Sequence, residues 1–451
     1  MEVCDTSRPI SEIRSYDVPT TLETLNYYAT STQFTEPPNK ITTQHDDCFD
    51  DIIAYTDRIP LGTTLGIGAW NYPLVNCASK SIPSILFGNS MIYKPSEYTP
   101  SSALFMAELY EEAGLPEGLF QVLLGGGKSG NSNNNDNNNS GDNGMNVGQT
   151  LVEEYCSSIL DCNTHGKISF TGSVNTGHQI AKQTTCKNGS NANFTFHRLN
   201  LELGGKSPLI ILDDCNIDNA VQNAIMANWY SNGQVCSNGT RVYVHESKYD
   251  TFVSKLIDET SKLKIGHPMN DDVDIGPMIS KEHMDRVLRY IDIGKHEDGA
   301  TLYYGGERLC GPIKYGHNKD GGEDSQSFMY EYGNFLSPAI FADCTDDMKI
   351  VQEEIFGMVM TIMKFQDEKE VIQRANATKY GLAAGIITND VNRAKRISSQ
   401  LMAGTVWINT YNVANIAIPW GGFKQSGIGH ENGIAAMEAW TTQKVTFVQT
   451  K

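Results

Sequence analysis

The chain has 451 residues, 39% of them hydrophobic and 20% charged, with a net charge of −18 at pH 7. That length accommodates roughly two or three domains with sizeable cores. So acidic a balance excludes a protein built to grip nucleic-acid phosphates or an anionic membrane surface, both of which need a basic footprint.

In chain order, short apolar segments alternate with longer helical ones. Residues 90–93 and 168–170 read as buried strands, and 101–112 and 217–230 as helices. This alternation predicts an α/β fold of parallel sheets with helices on both faces. Three polar stretches, 128–145, 187–197 and 312–326, interrupt it and are expected to be surface-loop inserts, because they hold too little apolar surface to fold alone. The longest apolar runs, such as Leu209-Ile210-Ile211-Leu212, are too short to span a bilayer. The first residues lack the basic and apolar regions of a secretory signal, which points to the cytoplasm. Ten cysteines are scattered singly, with no Cys-x-x-Cys pair and no zinc-type spacing, so reduced thiols and no metal are expected.

Four segments carry possible chemistry. Gly68-Ala69-Trp70-Asn71-Tyr72-Pro73 offers, in Asn71, an uncharged amide that can hold a developing oxyanion without titrating. Phe170-Thr171-Gly172-Ser173 runs off a strand into a helix start, where backbone amides can face a phosphate. Leu201-Glu202-Leu203-Gly204-Gly205-Lys206 sets a carboxylate at a strand end, suited to a general base. Asn232-Gly233-Gln234-Val235-Cys236-Ser237 places a thiol in a glycine-containing turn after a helix. Taken alone, an isolated cysteine is as readily a small buried hydrophobe, Glu202 an ion-pair partner and Asn71 a turn residue.

Together with Lys94-Pro95-Ser96-Glu97, Glu353-Glu354-Ile355-Phe356-Gly357, Gly404-Thr405-Val406-Trp407 and Pro419-Trp420-Gly421-Gly422, these segments stand in an order that resembles the aldehyde dehydrogenase superfamily from about Arg8 to the C-terminus. The resemblance implies a Rossmann-like cofactor domain (1–41 and 61–204), a catalytic α/β domain (205–425) and a small β oligomerisation element (42–60 and 440–451) closing a homodimer or homotetramer. It implies that Cys236 attacks an aldehyde, that the Asn71 side chain and the Cys236 amide hold the oxyanion, and that Glu202 activates water against the thioester. Lys80 and Glu431 match a proton relay. NAD would be held by Trp70, Lys94, Ser96, Glu97, Gly172, Ser173, Glu354 and Phe356, with the Glu97 carboxylate repelling a 2′-phosphate.

Tyr72, Tyr230 and Trp420 match an aromatic box of members that oxidise betaine aldehyde and related amino aldehydes, a box suited to a quaternary ammonium. Ser79 replaces its fourth aromatic, and the three rings would equally line an apolar aldehyde tunnel.

The chain departs from the family pattern in three places. Met358 stands where proline usually stiffens the turn, which is expected to loosen the nicotinamide contacts. His430 replaces an arginine. The family's long N-terminal segment does not precede Arg8, so the expectation is either an incomplete gene model or a shortened variant in which part of the cofactor-domain surface would be uncovered. Two rival readings follow: a CoA-acylating dehydrogenase, for which Glu202 would have no role, and a shortened, non-catalytic paralogue.

Overall fold

A computed structural model describes residues 1–31, 34, 40–41, 52–126, 147–156, 166–185, 198–310, 312–313, 328–329 and 333–449. Inserts 128–145 and 187–197, residues 42–51 of the proposed oligomerisation element and all but two residues of insert 312–326 lie outside these. Two compact units are present. One comprises Val18–Leu201, Asn415–Trp420 and Gly429–Lys451; the other comprises Met1–Asp17, Glu202–Ala414 and Gly421–Ile428. The sequence-based boundaries differ at the start, since residues 1–17 join the Glu202 unit rather than the cofactor half. Their buried charges are bonded there: Arg8 donates to Ser231 Oγ at 2.9 Å, and Glu12 Oε1 accepts from the Ser231 amide at 3.0 Å.

In the Val18–Leu201 unit, strands β1 (Lys40–Ile41), β2 (Ile52–Pro60), β3 (Thr63–Ile67), β4 (Ser90–Lys94), β5 (Phe120–Val122), β6 (Lys167–Thr171) and β7 (Arg198–Glu202) occur in that order. The main sheet of this unit runs β7-β6-β3-β4-β5, with β3 parallel to both β4 and β6. Successive strands step outward from β3 to β5, and then the chain returns to the other side of β3. That reversal makes the crevice between the carboxyl ends of β3 and β6 a topological switch point, where open α/β sheets bind ligands. Helix α1 (Pro73–Leu86) starts on a proline, whose missing N–H costs nothing at that position. It buries Cys77, Ala78 and Ile82 against Met91, Tyr93 and Trp440.

In the Glu202–Ala414 unit, strands β8 (Pro208–Ile211), β9 (Arg241–His245), β10 (Thr301–Tyr304), β11 (Ala339–Ala342), β12 (Val359–Phe365), β13 (Ala383–Ile387) and β14 (Thr405–Ile408) form one sheet in the order β10-β11-β12-β9-β8-β13-β14. Only the β10–β11 pair is antiparallel among the pairs of this sheet. The central strands have almost no exposed residues, so they read as continuous apolar runs rather than alternating ones. Registers pair Pro208 with Arg241 and Arg241 with Thr361, so the amino ends of β8, β9 and β12 lie side by side. Strand β15 (Thr441–Gln449) returns to the first unit and pairs antiparallel with the whole of β2, from Thr441–Pro60 to Gln449–Ile52.

Candidate active site

In the Glu202–Ala414 unit, three loops lead into the adjacent amino ends of β8, β9 and β12. They carry Glu202 to Ser207, Ser231 to Thr240 and Glu353 to Met358. Their glycines are required by close packing. A Cβ on Gly205 would stand 2.6 Å from the Cys236 carbonyl oxygen, one on Gly204 2.0 Å from Glu354 Oε2, and one on Gly233 2.5 Å from the Gly357 carbonyl carbon. The paired glycines after Glu202 thus bring the Cys236 backbone and the Glu354 carboxylate onto the same short stretch of chain. The Gly205 amide donates to Glu354 Oε1 at 3.1 Å.

Electrostatics on this side disfavour anions. Cys236 is half-buried, and its thiol is pushed up to about 12, first by burial and then by the charges of Glu354 and Glu202. Burial likewise raises Glu354 to about 7, against the Gly205 amide and the Arg286 charge. Glu202 itself is buried at the last position of β7.

Sequence reasoning missed the support of residues 353–356. Helix α2 (Lys281–His296) presents His283, Arg286 and Tyr290 at helical spacing. His283 Nε2 donates to the Phe356 carbonyl at 2.7 Å, Arg286 donates to the Glu354 carbonyl at 2.9 Å, and the Tyr290 hydroxyl donates to Glu353 Oε2 at 2.6 Å. Burial lowers His283 to about 4, so it stays neutral with Nε2 as the donor. Phe356 is held at φ 64°, a left-handed value unusual for an aromatic residue. Met358 is fully buried and its carbonyl accepts from Ala339 at 2.8 Å, which anchors the turn where the family has proline. The spacing His283-x-x-Arg286 was visible in the sequence, but nothing in it pointed to this loop. Lys206 was also passed over. It is buried, its Nζ has no hydrogen-bond partner among the described residues, and burial followed by the Arg241 charge pulls it down to about 7.

In the Val18–Leu201 unit, the candidate residues follow the carboxyl ends of strands. Trp70, Asn71 and Tyr72 follow β3, with Asn71 buried. The buried Lys94 ends β4 and donates to the Pro95 carbonyl at 3.1 Å; burial lowers its pKa, and the exposed Glu97 opposes that. Half-buried Ser96 accepts from the Tyr98 amide at 3.3 Å. Gly172 and Ser173 follow β6. A Cβ at Gly172 would meet the Phe170 ring at 2.5 Å. Ser173 Oγ accepts from the Thr176 amide at 3.2 Å, an N-cap on α3 (Val174–Thr185). A glycine at the switch point followed by a capped helix N-terminus fits the pyrophosphate of a dinucleotide.

The same unit holds a buried ionic network. Glu431 Oε1 accepts from Lys80 Nζ at 2.6 Å, Ser169 Oγ at 2.8 Å and Asn200 Nδ2 at 3.1 Å. Burial alone would raise Glu431, but the Lys80 charge and these bonds outweigh it and hold the carboxyl below its usual range. Asn200 lies two residues before Glu202, so the two share one face of β7. Sequence reading found Lys80 and Glu431 but not Ser169 or Asn200. Trp420 and Glu431 exchange both backbone hydrogen bonds at 2.8 Å, so the aromatic candidate and the ionic network share one backbone pairing. Tyr72 precedes α1 and Tyr230 follows α4 (Ile217–Trp229), both half-buried. Ser79 bonds back to the Asn76 carbonyl of its own helix.

A family model described as the aldehyde dehydrogenase family matches residues 1–136 and 145–446. Betaine aldehyde dehydrogenase of Brucella anthropi is 45% identical over 396 residues, covering 88% of this chain and 71% of that protein. The Mesorhizobium japonicum betaine aldehyde dehydrogenase is 41% identical over 452 aligned residues, covering all of this chain and 80% of its own length. Among solved structures, the NAD+ complex of an aldehyde dehydrogenase from Bacillus cereus superposes with a TM-score of 0.82 at 35% identity, covering all of this chain and 79% of that one. Betaine aldehyde dehydrogenase from Staphylococcus aureus with NAD+ gives 0.82 at 33% identity, covering all of this chain and 78% of that one.

Proposed function

The chain belongs to the aldehyde dehydrogenase family, and we propose that it oxidises an amino or trimethylammonium aldehyde to the carboxylic acid with NAD, through a thioester on Cys236. The observation that carries this reading is the packing of the Cys236 turn against Gly204-Gly205 and Glu354, with Glu202 opening the same loop. A thiol raised to about 12 is protonated at neutral pH, so its proton must pass to water as the sulfur attacks and be regained when Sγ is displaced. Sγ bonds to the carbonyl carbon, the π electrons pass to oxygen, and Asn71 is the side-chain donor assigned to that oxyanion. When bound, the nicotinamide cofactor accepts the hydride released as the carbonyl reforms. Glu202 then takes a proton from water, whose oxygen adds to the thioester and displaces Sγ.

Cofactor roles go to Trp70, Lys94, Ser96, Glu97, Gly172, Ser173, Glu354 and Phe356. Tyr72, Tyr230 and Trp420 are the aromatic residues assigned to a quaternary ammonium, a cation that ring faces stabilise, and both relatives named above are betaine aldehyde dehydrogenases. Lys80 and Glu431 are the proposed proton relay. A cytoplasmic location and a homodimer or homotetramer built through β2 and β15 complete the reading. NADH release is to be measured over short, aromatic and trimethylammonium aldehydes. A kcat/KM for betaine aldehyde no higher than that for a neutral aldehyde of equal length removes the substrate assignment. Turnover that requires added CoA instead selects the acylating alternative.

A further inference from the structure

The turn that leads to Cys236 does not hold its own shape. Ser231 (φ 53°, ψ 40°), Asn232 (φ 56°, ψ 28°) and Gly233 (φ 71°) are consecutive left-handed residues. The two that are not glycine each store on the order of 1–3 kcal/mol of backbone strain. Such a conformation persists only where its surroundings over-determine it, and here those surroundings come largely from the far end of the sequence.

Glu12 receives both groups of Ser231, the amide on Oε1 at 3.0 Å and the hydroxyl on Oε2 at 3.0 Å. Arg8 Nε donates to Ser231 Oγ at 2.9 Å and to Glu12 Oε2 at 3.4 Å. Its other nitrogens grip Asp17 with two bonds, at 2.7 and 3.0 Å. Asn232 Nδ2 donates to the Ser7 and Pro277 carbonyls, and its Oδ1 accepts from Gly276 at 2.8 Å. Arg8 and Asp17 are fully buried and Glu12 nearly so. Burial raises both carboxyls, and the Arg8 charge pulls them back.

A buried ionic cluster is a poor way to gain stability, because desolvation consumes most of the attraction and apolar packing serves as well. What charges provide here is direction. A carboxylate with two acceptor oxygens and a planar guanidinium fix an amide and a hydroxyl at the same time.

We propose that Arg8 and Glu12 are positioning residues for Cys236, setting the nucleophile turn from the N-terminal segment. The proposal rests on the reading of Cys236 as nucleophile. Glu12 fixes Ser231, the left-handed turn fixes the direction in which the chain leaves it, and the Gln234 side chain takes over by accepting from the Ile279 amide at 3.1 Å.

The test uses the full chain, with iodoacetamide labelling read on the Cys236 peptide by mass spectrometry so that every rate is expressed per intact Cys236 thiol. Glu12→Ala should lower kcat about 10- to 100-fold, the cost expected when a reacting group shifts by about an ångström. The KM for NAD should stay within about twofold, and the alkylation rate of Cys236 should change at least about threefold. Glu12→Gln keeps an acceptor for the Ser231 amide and should recover most of the kcat. If Glu12→Ala does not fold, Ser231→Gly decides. It relieves the left-handed strain yet removes the hydroxyl shared by Arg8 and Glu12, and should cost kcat about fivefold or more. Normal kcat and alkylation per thiol in the variant that folds, with only a lowered Tm, overturn the proposal. Turnover retained by Cys236→Ser is a separate result, which removes the nucleophile reading itself.

Discussion

The two parallel sheets of this chain carry their candidate residues at opposite ends. In the Val18–Leu201 unit, these residues follow the carboxyl ends of β3, β4 and β6, where the next helix begins and its amides and dipole favour an anion. In the Glu202–Ala414 unit, they precede the amino ends of β8, β9 and β12, where burial, and then the charges of Glu354 and Glu202, raise a thiol to about 12. Parallel sheets bind ligands at the first kind of end as a rule. The second kind is suited to a nucleophile kept neutral until substrate and cofactor are in place. Parallel strands thus carry an anion cradle at their carboxyl ends in the first unit and anion-averse loops at their amino ends in the second.

If binding and chemistry divide this way, variants should separate them. Cys236→Ser should reduce turnover by at least about a thousandfold while NAD binding, followed by NADH fluorescence competition, stays near wild type; loss of both would break the division. Lys80→Met strands the Glu431 carboxylate in a buried network and should destabilise the fold by about 3–5 kcal/mol in urea unfolding. In the unaltered chain, Glu431 contributes fully above its ordinary value of 4.5, and that contribution is lost as pH falls through its lower folded value.

Glu202→Gln should slow thioester hydrolysis about a hundredfold, leaving a burst of about one NADH per chain. A variant with full steady-state rate would remove Glu202 as base. Alkylation of Cys236 without cofactor should rise about tenfold per pH unit from 7 to 10, because its pKa lies near 12. A plateau near pH 8.5 would contradict the anion-averse picture. The smallest effect expected is on recognition: Trp420→Ala should raise the KM for betaine aldehyde about fivefold more than for a neutral analogue, and equal increases would leave Trp420 a lining residue only.

The sequence determined the α/β class, because strand and helix periods alternate locally. It also nominated Cys236, Glu202 and Asn71 as candidates, because the chemistry of a thiol, a carboxylate and an amide is written in short ordered motifs. It named Lys80 and Glu431, though not the Ser169 hydroxyl and Asn200 amide that complete their network. Those partners come from other strands, and no local pattern marks a polar residue that will be buried beside a distant carboxylate.

The tertiary structure alone decided that residues 1–17 join the unit that carries Cys236. It alone decided that His283, Arg286 and Tyr290 hold the Glu353–Phe356 loop, and that the glycines beside Glu202 are demanded by a carboxylate and a carbonyl from elsewhere in the chain. The reason is physical. Covalent order dictates which local conformations are inexpensive, whereas long-range packing dictates which buried charges must find partners, and Arg8 meets Ser231 across 223 positions of sequence.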